Sequence, residues 1–93
     1  MLVTMTEVVE NPSTKTYTMR EVSINPEHVT AIREDFVAKS ALNENRMPEG
    51  LDPKVTFSRL YLAAGQHGLN VVVVGQPSLV QEKFNNSRRL LKG

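Results

Sequence analysis

The chain holds two histidines, His28 and His67, and no cysteine. Without a thiol there is no disulfide framework, no thiolate chemistry and none of the common cysteine-rich zinc sites. A metal centre would need both imidazoles together with carboxylates such as Glu27 or Glu34. The two histidines instead sit in separate turn-like stretches with no ligand spacing between them. Glu34-Asp35 is a paired acidic site, and Ser13, Ser23, Ser40, Ser58, Ser78 and Ser87 are scattered through the chain. None of these serines lies in a nucleophile-elbow pattern, and none has a base at recognisable spacing. The sequence therefore predicts no catalytic residue, no cofactor-binding residue and no metal ligand, and it reads as a non-enzyme.

Gly65-Gln66-His67-Gly68 has the G-x-x-G form that clamps a nucleic-acid backbone in KH domains. In those domains the motif lies between two helices, whereas both flanks here read as strands. Two hairpin glycines account for it through the positive φ they tolerate. It also lacks the spacing and the Lys-Ser/Thr ending of a phosphate-binding loop. The densest positive run is Arg88-Arg89-Leu90-Leu91-Lys92. With Lys83, and with Arg59 as a neighbour, it is a candidate contact for nucleic-acid phosphates or for a protein partner. The plainer reading is a helix end whose dipole favours cations. The 11 basic and 10 acidic residues leave a net charge of +1, which is not the footprint of a strong nucleic-acid binder. Tyr17, Phe36, Phe57, Tyr61 and Phe84 are dispersed and suit a core better than a stacking platform.

The elements that would hold these residues follow from the hydrophobic pattern. Leu2 to Glu10 is rich in Val and Thr, which favour a pleated, half-buried surface. Asn11-Pro12-Ser13-Thr14 supplies turn chemistry, and Lys15 to Ile24 returns as the second strand of an antiparallel hairpin. Asn25-Pro26-Glu27 interrupts the pattern, and His28 to Glu34 reads as a turn leading into a strand anchored by Val29 and Ile32. Between Phe36 and Lys54 the character changes. Ala38 to Arg46 is compatible with one or two helical turns, while two prolines and a glycine from Met47 to Pro53 break any regular element. A connection of this length is expected to be mobile, with a binding role as the other reading. Val55 to Ala63 is a strand with Phe57 on one face and Leu60 and Leu62 on the other. Leu69 to Val74 is the next strand. Its four consecutive valines make it apolar on both faces, as in a central strand covered on each side. Ser78 with Gln81 matches a capping box, and the spacing predicts a helix over 78–91 with Val80, Phe84, Ser87 and Leu91 on one face.

Some of this order resembles a known family. Met1-Leu2-Val3-Thr4, followed by Ser23-Ile24-Asn25-Pro26-Glu27-His28-Val29-Thr30-Ala31-Ile32-Arg33-Glu34, is similar to the opening of the small FlbD-type proteins associated with flagellar loci. Val55-Thr56-Phe57, Gly68, Val71 to Val73, Val80 and Lys83 fall in the corresponding order. The chain differs in its longer first hairpin and in the inserted segment from Phe36 to Lys54. The resemblance implies the architecture alone, a short opening strand with a later strand pair and helix, and the family has no catalytic residues to transfer.

These readings converge on one α+β, β-rich domain spanning 1–93. About five mostly antiparallel strands form a sheet or a small barrel, with one C-terminal helix packed on it. A single helix covers one face of the valine strand, so the second face is expected to meet another sheet layer or another subunit. Val71, Val72, Val73 and Val74 are accordingly the expected oligomer interface, with a homodimer favoured. Lys83, Arg88, Arg89 and Lys92 are the candidate nucleic-acid or partner contacts. The longest apolar run, Val71 to Val74, is far too short to cross a bilayer, and the opening residues lack a signal-peptide pattern. Composition therefore points to a cytoplasmic interaction or regulatory module that works through self-association and protein partners, with a small nucleic-acid-binding regulator as the alternative.

Overall fold

A computed structural model describes residues 1–63 and 69–92. The elements are β1 (Val3–Glu10), β2 (Tyr17–Ile24), a 3-10 turn at Pro26–His28, β3 (Val29–Glu34), α1 (Phe36–Asn43), β4 (Phe57–Leu62), β5 (Leu69–Val74) and α2 (Pro77–Lys92). The five strands form one antiparallel sheet in the order β2-β1-β5-β4-β3. The expected fold class is met as an open sheet, with no closure into a barrel.

β1 and β2 pair without interruption from Val3↔Ile24 to Glu10↔Tyr17. Their connection is held by Asn11, whose Oδ1 accepts from Ser13 N and whose backbone bonds both Lys15 N and Thr16 O. Lys15 takes the left-handed conformation that the turn requires, at φ 64°. β1 then meets β5 at one register pair, Glu7↔Val73, among the described residues. β3, β4 and β5 form a longer ladder, Glu34↔Ser58↔Val73 at one end and Val29↔Leu62↔Leu69 at the other, with a register shift in β3 between Val29 and Ala31.

Residues 25–28 alone carry the chain from β2 at one edge to β3 at the opposite edge. Five Cα steps span at most about 18 Å, and a 3-10 turn shortens them. A flat sheet of five strands would need about 19 Å, four gaps of about 4.8 Å each. The sheet therefore curls, which brings Ile24 of β2 onto the same core as Leu60 of β4.

Both faces of the sheet are filled. On the concave face Val3, Met5, Ile24, Leu60 and Val73 pack with Val80 and Phe84 of α2. On the convex face Val8, Ala38 and Phe57 form a second cluster with half-buried Tyr17, Leu42, Met47, Leu51, Val55, Val72 and Val74. The second face of β5 is thus packed against α1 and the chain after it, and not against a second sheet. Val73 is fully buried and Val71, Val72 and Val74 are half-buried, so the four valines do not present an open interface strip. The physical reason lies in α1: its inward residues are Ala38 and Ala41, small enough for close approach to the sheet.

The segment from Phe36 to Lys54 contains α1, in line with the expected one or two helical turns, and is tied down beyond it. Lys39 Nζ donates to Pro53 O at 2.7 Å and to Val55 O at 2.8 Å. Arg46 O accepts from Tyr17 N, and the Arg46 guanidinium donates to Lys15 O and to Glu44. Burial, and then the Glu10 carboxylate beside it, hold the Tyr17 phenol above its ordinary range.

α2 starts earlier than the Ser78–Gln81 pattern implies. Pro77 is its first residue, and Gln76 O accepts from Leu79 N and Val80 N, so Ser78 lies inside the first turn and does not cap it. Proline suits the first helical position because its missing N–H has no partner there anyway. Gly75, at φ +124°, makes the bend from β5 into α2 that a side chain would strain. Ser58 fixes this bend. It is fully buried, and its Oγ donates to Gly75 O at 2.7 Å. Ser58→Ala would leave that carbonyl without its side-chain donor, and thermal unfolding should show a loss of about 1–2 kcal/mol.

Candidate functional site

The strand register places the start of α1, the start of β4 and the start of α2 at one end of the sheet. Asp35 N donates to Phe57 O, Phe57 is paired with Val74, and Gly75 N donates to Thr56 O. Neighbouring strands are about 4.8 Å apart, so the backbones that launch α1 and α2 stand about 10 Å from each other. From these two points three large apolar side chains project into solvent: Phe36 is 69% exposed, Val37 63% and Leu79 55%. Beside Leu79 lie half-buried Val55 and Val74 and the surface around Gly75.

The base of this end is rigid. Asp35 is buried and caps α1, its Oδ2 accepting from Ala38 N at 3.0 Å. Its Oδ1 accepts from Arg59 Nε at 2.9 Å, and the same guanidinium donates to Asn70 Oδ1. One carboxylate therefore serves the helix N-terminus and an ion pair at once, which sets the position from which Phe36 projects. Arg33 lies over the Tyr61 ring, 5.7 Å from its centroid, on the same face of the sheet as Arg59.

Leu79 stands between two shallow grooves. One, of about 240 Å³, is lined by Met5, Thr6, Val74, Val80 and Lys83. The other, of about 290 Å³, is lined by Asp52, Lys54, Val55, Thr56 and Gln76. A third cleft, of about 330 Å³, opens between β2 and the β4–β5 ladder, with Val22, Ile24, Leu62, Leu69 and Val71 as its apolar walls and His28 at its margin.

The other sequence-predicted residues are spread out. Lys83 is exposed and its Nζ donates to Thr4 O at 2.8 Å. Arg88, Arg89 and Lys92 belong to α2, but their side chains lie outside the described residues, as does the Gly65–Gly68 stretch with His67. Arg59 is engaged by Asp35 and Asn70 and is not joined to Lys83 in a basic patch. His28 is exposed, and among the described residues no three His, Cys, Asp or Glu side chains cluster as metal ligands. Among the same residues no helix is long and apolar enough to cross a membrane.

Phe36, Val37 and Leu79 do not stand out in the sequence, because composition alone assigns large apolar residues to a core. A signal was present nonetheless: Asp35 in a capping position with Ala38 and Ala41 behind it turns the small residues inward and the large ones out. Compared with known proteins, the chain matches no family model, no curated protein and no solved structure.

Proposed function

We propose that the chain is a small non-catalytic interaction module that associates with itself as a dimer and offers the same surface to protein partners. The observation that carries this reading is the exposure of the large apolar side chains Phe36, Val37 and Leu79 at one end of the sheet, with the start of α1 fixed by the bonds of Asp35. Their exposed fractions sum to on the order of 300 Å² of apolar surface, and exposed large apolar side chains of this kind are often interaction sites. The valines of β5 support the core in this reading. The alternative, nucleic-acid recognition through Lys83, Arg88, Arg89 and Lys92, has weaker support, since Lys83 is already engaged by a backbone carbonyl and the charges of the chain nearly cancel.

Sedimentation equilibrium over a concentration range of about 5 to 500 µM tests the reading, because contacts of modest area give micromolar or weaker affinity. A mass that rises from one chain towards two supports it. A mass of one chain throughout the range would sink it. Repeating the series in high salt separates an apolar contact, which persists, from one made by surface charges, which weakens.

A further inference from the structure

We propose that Arg33 and Arg59, set side by side on the convex face of the sheet, bind a phosphate group. The site is independent of the self-association reading, since it uses neither Phe36, Val37 nor Leu79. β3 and β4 pair Arg33 directly with Arg59. Residues opposed in this way have Cβ atoms about 4.5–5.5 Å apart and point to the same side of the sheet. Tyr61 follows Arg59 by two residues and is paired with Asn70 of β5, so both share that face. The register thus makes one continuous surface across three neighbouring strands. α1 does not cover it. Its Ala38 packs on Phe57 at the start of β4, which leaves Arg33 and Asn70 exposed and Arg59 and Tyr61 half-buried.

Like charges directly opposed across two strands are destabilising, and here only one of the two is compensated. Arg59 donates to Asp35, and each oxygen of that carboxylate already accepts a hydrogen bond, Oδ1 from Arg59 and Oδ2 from Ala38 N. Glu34, the other acid close in the chain, is paired with Ser58 on the opposite face. Among the described residues Arg33 makes no ion pair. Its guanidinium lies over the Tyr61 ring instead, 5.7 Å from the centroid. The missing counter-charge is what a bound anion would supply.

The groups on display are donors. Arg59 is held at Nε by Asp35 and at Nη1 by Asn70 Oδ1, which leaves its Nη2 and the Asn70 amide nitrogen to donate elsewhere. Arg33 is steadied against the Tyr61 ring by a cation–π contact. Both guanidinium groups are thus positioned before any ligand arrives, which lowers the ordering cost of binding. A planar guanidinium matches the oxygens of a phosphate two at a time. A phosphate monoester also carries about 1.5–2 negative charges near pH 7 and has three strong acceptor oxygens, enough to serve both arginines at once.

The test titrates isotope-labelled protein with inorganic pyrophosphate at fixed ionic strength and follows the arginine Nε–H signals by NMR. The Arg33 and Arg59 signals should shift together and saturate with a Kd below about 1 mM. Arg33→Gln changes an exposed side chain, so the melting temperature serves as a control for folding. It should weaken binding at least about tenfold. Arg33→Lys keeps the charge and loses the fork, and its affinity should fall between the two. Binding by Arg33→Lys as tight as that of the unaltered chain would reduce the site to diffuse charge attraction and overturn it. So would the absence of a saturable shift up to about 10 mM, or an equal response from Arg33→Gln. A thymidine oligonucleotide without terminal phosphates separates the sources of the group. Binding tighter than that of pyrophosphate, and lost in Arg33→Gln, assigns the site to a nucleic-acid backbone, whereas weaker binding assigns it to a compound with a terminal phosphate. A chain that binds pyrophosphate and stays monomeric keeps this site and loses the self-association reading, and the reverse result does the opposite.

Discussion

Phe57→Ala should remove most of the stability of this protein, while Phe36→Ala, a chemically identical change, should leave it nearly intact. Phe57 is fully buried, packed with Val8 and Ala38 where α1 covers the sheet. Truncating a buried phenylalanine costs about 3–5 kcal/mol through lost transfer energy and the cavity left behind. Domains are typically stable by only about 5–15 kcal/mol, and one of this size lies towards the lower end. Phe36 is 69% exposed and its loss should fall within about 0.5 kcal/mol. Urea denaturation followed by circular dichroism distinguishes the two. Comparable losses from both substitutions would show that Phe36 is held in a core, and the candidate surface would have to be abandoned.

Asp35→Ala should be the most damaging change among the acidic residues, because two supports fail together. The N-cap to Ala38 is lost, which alone costs about 1 kcal/mol. Arg59, half-buried, loses the carboxylate it donates to, although its partial exposure to water moderates that penalty. The sum is about 2–3 kcal/mol, or a melting temperature lower by roughly 10–20 °C. Asp35→Asn should retain a large part of the cap while losing the ion pair, so its melting temperature should fall between the two. If Asp35→Asn and Asp35→Ala melted together, the cap would be contributing nothing. By contrast, breaking Arg20–Glu7, where the arginine is largely exposed, should barely move the transition.

Much of the architecture is legible in the residues themselves. The Val-Thr alternation of β1, the turn chemistry after Glu10 and the four valines of β5 each mark their element, and Val80 and Phe84 mark the inward face of α2. The cover on the second face of β5 was not legible. An apolar stripe of large residues is the usual sign of a packed helix, and α1 presents Ala38 and Ala41 to the sheet instead. The start of α2 carries two competing signals within seven residues: Ser78 with Gln81 suggests a cap, but Gly75 and Pro77 set the bend and the first helical position. The candidate surface was hidden for a different reason. Exposure of Phe36, Val37 and Leu79 depends on where β3, β4 and β5 end relative to one another, and that register is a property of the whole sheet.

Among the described residues Glu7 with Val73 is the one pairing between a hairpin of eight continuous pairs and a three-stranded ladder, which are thus joined by little backbone hydrogen bonding. What holds the halves together is side-chain packing, chiefly Val3, Met5 and Ile24 against Leu60, Val73 and Phe84, with Lys83 bonded to Thr4 across the junction. Packing of this kind is lost all at once when a seam parts, whereas each half keeps its own ladder. The hairpin therefore has the makings of a separate cooperative unit, turning about residues 25–28. Its amide protons would exchange as one group, ahead of those shared by β4 and β5, and an opened hairpin that closed on a neighbouring chain would produce a swapped pair that keeps the native contacts outside the 25–28 hinge.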